Sequence, residues 1–117
     1  MILSLSLPRV NEQMQSGLVH KVLARTGEPL RPGTPLLEIR VDLGASMAQD
    51  CPPQLFFRLL ATERGHLRSL SAAVGDILSP GAALGVATTT PDEGVEGPAG
   101  RALRTTLVAI QVDPLSR

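Results

Sequence analysis

The strongest constraint on how this chain can fold is that it repeats itself without a gap. Gly17, Gly27, Gly33 and Leu36 recur as Gly65, Gly75, Gly81 and Leu84, each 48 residues on (65 − 17). Ala24 and Ala72, Leu30 and Leu78, and Pro32 and Pro80 keep the same offset. An ungapped match of residues 17–41 with 65–89 is a structural duplication, because each half carries the same punctuation and must make the same turns.

The turns have physical reasons. Gly27-Glu28 and Gly75-Asp76 sit where a strand reverses, and glycine takes a positive φ there at little cost. Pro32-Gly33 and Pro80-Gly81 suit the two central positions of a type II turn, with proline presetting φ and glycine taking the left-handed place. Each half therefore reads strand, turn, short strand, turn, strand. Residues 2–7 alternate leucine with serine, the period-2 pattern of a strand with one buried face. Residues 55–61 read as the strand returning from the connection between the halves. No window has helical periodicity, and ten prolines with eleven glycines argue further against helices. The expected fold is all-β, two small antiparallel sheets related by a pseudo-twofold axis, because each half can bury its apolar face only against the other. Residues 1–89 form the expected domain, with 42–64 as an extended hairpin between the repeats. Residues 90–103, rich in Pro, Gly and Glu, read as a linker, and 104–113 as an additional C-terminal strand.

Composition removes several function classes. Eleven basic and eleven acidic side chains give no net charge, so nucleic acid and anionic membranes are not expected partners. Phe56 and Phe57 are the only aromatics, too few for a base-stacking or sugar-stacking surface. A single cysteine, Cys51, excludes an internal disulfide and a cysteine-based zinc site. The apolar start has no cationic flank and is stopped by Pro8, and no apolar run approaches a membrane span, so the expected address is the cytoplasm. No catalytic triad, phosphate loop or metal motif is present, and no enzyme activity or cofactor is expected.

The spaced set of residues resembles the biotinyl/lipoyl carrier domains, above all the lipoyl domains of 2-oxo acid dehydrogenase acyltransferases. The likeness opens at Leu7-Pro8-Arg9-Val10 and passes through Met14, Gly17, Gly27-Glu28, Pro32-Gly33 and Leu37-Glu38-Ile39. It resumes at Gly65-His66-Leu67 and continues through Gly75-Asp76, Pro80-Gly81 and Leu84. It covers about residues 3–89. The resemblance implies a barrel-sandwich hybrid whose central hairpin displays a lysine, in Asp-Lys-Ala, for lipoate or biotin. Here the corresponding residues are Asp42-Leu43-Gly44, and leucine has no nitrogen to acylate. The connection is also longer than the family's by roughly ten residues.

Lys21, the only lysine, falls within the first strand of a repeat, and the simple reading is a solvent-facing side chain. Cys51, beside Pro52-Pro53, lies where a cofactor would be displayed, but neighbouring Asp50 disfavours its thiolate, and an incidental loop cysteine is the simpler account. His20 and His66 lie on equivalent first strands and read as surface histidines rather than metal ligands. The expected function is a non-catalytic binding or assembly module whose enlarged hairpin makes a protein contact. Leu43, Met47, Cys51, Leu55, Phe56 and Phe57 are its candidate contact residues. The resemblance implies a 2-oxo acid dehydrogenase or carboxylase-type complex as partner, and the C-terminal strand offers an edge for a homodimer. The alternative is a carrier accessory of an acyl-transfer or carboxylase complex that uses Cys51 or Lys21.

Overall fold

A computed structural model of the chain describes residues 1–8, 16–42 and 55–110, and every regular element among them is a strand. In chain order these are β1 (Ile2–Ser6), β2 (Ser16–Val22), β3 (Pro29–Leu30), β4 (Pro35–Asp42) and β5 (Leu55–Ala61). They continue as β6 (Gly65–Leu70), β7 (Ile77–Leu78), β8 (Ala83–Thr88), β9 (Arg101–Ala102) and β10 (Thr105–Ile110). Two five-stranded sheets result, ordered β3-β6-β8-β1-β9 and β10-β5-β4-β2-β7, and neither closes into a barrel.

The duplication reappears as a duplicated hydrogen-bond pattern. In one half Val19 stands opposite Ile39, then a bulge intervenes, then Lys21 and Val22 stand opposite Glu38 and Leu37. In the other half Leu67 stands opposite Ala87, the bulge intervenes, and Ser69 and Leu70 stand opposite Val86 and Gly85. Each of these residues is the repeat equivalent of its counterpart. The short strands are exchanged: β7 pairs with β2, Gly17 to Leu78, while β3 pairs with β6, Gly65 to Leu30. Neither half completes its own sheet, because each takes its short strand from the other. The turns agree as well, with Gly27, Gly33, Gly75 and Gly81 at φ of 91°, 94°, 96° and 88°.

The correspondence extends to β1 and β5. Leu5 faces Gly85 and Leu59 faces Leu37, with a bulge following in both pairings. The amide of Gly33 donates to the Ala61 carbonyl at 2.7 Å, and the amide of Gly81 donates to that of Leu7 at 2.7 Å. Eight strands therefore obey one rule.

The core lies between the sheets and is aliphatic. Leu3, Leu5 and Leu7 alternate inward from β1 and its exit, and meet Leu36, Leu37, Ile39, Leu59, Leu67 and Leu84, all 1% exposed or less. Each such side chain contributes roughly 1.5–3 kcal/mol by leaving water. The leucine–serine alternation of β1 thus becomes a strand with one face in the core and one turned out.

The C-terminal part departs from expectation. The sheets are not wholly antiparallel, because β9 runs parallel to β1, with Leu3 opposite Arg101 and Ser4 opposite Ala102. Within the stretch read as a linker, 90–103, Leu103 is buried at 5% exposure and its amide donates to the Ser4 carbonyl at 2.8 Å. The reason is geometric: β1 leaves an open edge on its sheet, and a short parallel segment satisfies part of it. The additional strand, β10, runs antiparallel along β5 and extends the other sheet.

Candidate functional site

The ends of β4 and β5 present the central connection. Leu43, Met47 and Cys51 lie outside the described residues, so the site is built from the strands that carry it. Val19, Ile39 and Phe57 occupy adjacent positions across β2, β4 and β5 and face the core, where Phe57 packs on the buried cluster. Leu55, opposite buried Val41, shares that inward register. Because alternate residues point to opposite faces, Phe56 is directed outward. Of the three described residues among the sequence candidates, Phe56 alone is on the outer face.

Phe56 belongs to a row that crosses all five strands. Ile77, Leu18, Arg40, Phe56 and Ile110 are successive partners across β7, β2, β4, β5 and β10. His20, beside the β2 bulge, sets its ring edge-on to Phe56 with centroids 5.2 Å apart and planes at 64°. Such pairing holds the phenyl ring in one orientation. Ile77 is 73% exposed, so the row is open at one end.

The next row carries charges on three strands: Lys21, Glu38 and Arg58 follow one another across β2, β4 and β5, and the row ends at Val108 on β10. Glu38 Oε2 accepts from Arg58 Nε at 3.0 Å and Nη2 at 2.7 Å. The carboxylate is 6% exposed, and its desolvation is offset by this two-pronged charge-assisted bond. A mostly apolar row that carries Arg40 at its middle and is bordered by a fixed ion pair can hold another chain in register. Among the described residues no group of three His, Cys, Asp or Glu side chains is placed to hold a metal ion. His20 and His66 lie on different sheets. Lys21 is exposed on β2, away from any turn.

Compared with protein families, curated proteins and solved structures, nothing matches this chain.

Leu18 and Ile77 were not among the sequence candidates. They are sequence-distant, 59 positions apart (77 − 18), and meet only because β7 crosses to the other half's sheet. The exchange rule is the signal that finds them.

A second polar feature holds the C-terminal strands. Glu63, between β5 and β6, receives Arg101 Nη1 at 2.6 Å, Arg101 Nη2 at 2.5 Å and the Arg104 amide at 2.7 Å. The Arg101 guanidinium favours the charged carboxylate most strongly, burial opposes it by less, and the Arg104 amide adds a further lowering, taking the pKa from 4.5 to about 2. The folded-state pKa is depressed, so this stabilisation is complete above about pH 4.5 and fades as pH falls toward 2. Wild type is therefore expected to lose stability over that acid window more steeply than Glu63→Gln in urea melts at stepped pH. Parallel pH profiles for the two proteins would remove Glu63 as the cause.

Proposed function

We propose that this chain is a lipoyl-like module of the barrel-sandwich hybrid type that has given up cofactor carriage and works by binding a protein partner. What carries the reading is the exchange of β3 and β7 between two halves of identical register, combined with Leu43 at the place where the resemblance expects the acceptor lysine. The scaffold of a swinging-arm domain is retained while the arm has nothing to attach to. The contact surface is the outer row of Leu18, Phe56, Ile77 and Ile110, which adjoins the strand ends that carry the enlarged connection. Apolar side chains flanking the exposed Arg40, with an aromatic fixed beside it, have the aromatic-plus-arginine composition of an interface anchor. The partner is a component of a 2-oxo acid dehydrogenase or carboxylase-type complex, following the resemblance.

The test is affinity capture from the native host, with the intact mass of the bait read in the same experiment. Expected is a bait of unmodified mass that retains a partner, with the partner lost when Leu18→Asp and Phe56→Asp are combined. Both side chains face outward, so the double variant is expected to keep the wild-type fold by circular dichroism. A bait heavier by a lipoyl, biotinyl or acyl group would return the chain to the carriers, through Lys21 or Cys51. Capture unaffected by the double variant would place the contact elsewhere.

A further inference from the structure

The exchange rule that builds the fold also provides an internal control on its surface. Beside the junction of β3 and β6 lies a cleft of about 500 Å³ lined by Pro29, Leu30, Arg31, Arg64, Gly65, His66 and Thr89. Shifting by the repeat offset maps Arg31 to Ser79, Arg64 to Ser16 and His66 to Leu18. The backbone pairings at the two places are the same, Pro29 to His66 and Leu30 to Gly65 in one, Ile77 to Leu18 and Leu78 to Gly17 in the other. One copy of this corner is built with two serines and a leucine, and the other with two arginines and a histidine. The fold therefore does not require the three basic side chains.

They are also not consumed by neighbours. Among the described residues no carboxylate lines the cleft. Among the described residues neither Arg31 nor Arg64 forms an ion pair, whereas Arg58 and Arg101 each hold a glutamate. Glu63, adjacent to Arg64 in sequence, is committed to Arg101 and the Arg104 amide. Glu93, near Thr89, is engaged by the Met1 amino group and by Thr89 and Thr90. Two exposed guanidinium groups and a half-buried imidazole thus border one concave space with no counter-ion among the described residues.

We propose that this cleft binds a small-molecule phosphate monoester. Each guanidinium offers a planar pair of N–H donors that matches two oxygens of a phosphate, and the imidazole adds a third direction of donation. A phosphate dianion has three terminal oxygens for three such donors, whereas a carboxylate has two. The volume exceeds that of the phosphoryl group alone and lies in the usual range for a small organic ligand. The ring of Pro29 and the edge of Leu30 supply the apolar floor for the rest of the molecule. The site lies on the sheet opposite to the Leu18–Phe56 row, so it neither uses nor depends on the partner surface proposed above.

The test is a titration of the full chain with phenyl phosphate at constant ionic strength, followed by amide nitrogen–proton spectra. Expected are saturable shifts centred on Arg31, Arg64, Gly65 and His66, and an affinity weakened roughly a hundredfold in the Arg31→Ser, Arg64→Ser double variant. Those replacements are the residues that the equivalent corner already carries, so the fold is kept, and an unchanged spectrum elsewhere verifies it. Shifts that never saturate, or that survive in the double variant, would overturn the site. Benzoate binding as tightly as phenyl phosphate would overturn the assignment to phosphate.

Discussion

Replacing Gly85 with alanine is expected to remove a large part of the stability of the fold. A Cβ at this position in β8 would lie 2.1 Å from the Ser69 carbonyl oxygen, 3.0 Å from its carbon and 3.1 Å from Leu70 Cα. All three atoms are backbone, so no side chain can turn aside to make room. Gly85 is paired on both sides, to Leu70 of β6 and Leu5 of β1, and therefore cannot retreat without breaking a ladder. The expected cost exceeds about 3 kcal/mol, beyond the ordinary penalty of an overfilled core, and a domain of this size has a margin of only about 5–15 kcal/mol. Urea unfolding is the measurement: the variant is expected to unfold at a midpoint far below that of wild type. A midpoint within experimental scatter of wild type would mean that β6 and β8 are farther apart than described.

Gly85 also marks where sequence reading stopped. Its repeat equivalent is Leu37, a fully buried leucine, so the duplication by itself predicts a core side chain there. A glycine in a strand gives no sign of which backbone approaches it until the neighbouring strand is placed. The turn glycines were legible because Gly27, Gly33, Gly75 and Gly81 recur with their prolines or acids, and a doubled local signal has one physical meaning. β9 was not legible. Two residues have no period, and Arg101 and Ala102 become a strand only because β1 leaves an edge for them.

The same contrast divides the candidate sites. Phe56 and Phe57 are adjacent, and alternation states that one of them faces out without saying which. The register of Ile39 with Phe57 and Arg40 with Phe56 decides it. The cleft residues were within reach of the sequence in a different sense. Arg31, Arg64 and His66 stand where the other repeat has Ser79, Ser16 and Leu18, and such breaks in an otherwise repeated pattern mark positions that the scaffold leaves free. What the sequence could not provide is that strand exchange gathers the three at one corner.

The doubled leucine at 36 and 84 leads to the second large effect. Both side chains are 0% exposed, at the start of β4 and β8, and both belong to the single buried cluster. Their carbonyls have equivalent tasks, since Leu36 accepts from Leu23 at 2.9 Å and Leu84 accepts from Ser71 at 2.7 Å. Leu36→Ala and Leu84→Ala are each expected to cost about 2–5 kcal/mol, the transfer of the lost atoms plus the cavity left behind. Because the pairing around the two positions is the same, the two costs are expected to agree within about 1 kcal/mol, which is tighter than the spread among unrelated leucines. Ile77→Ala is the control: Ile77 lies on the same scaffold but is 73% exposed, and its loss is expected to stay within about 0.5 kcal/mol. Urea midpoints for the three variants at constant m-value give the comparison directly. If Leu84→Ala fell to the level of Ile77→Ala while Leu36→Ala remained costly, the second half would not share the first half's core, and the duplicated register would have to be a matter of backbone pairing alone.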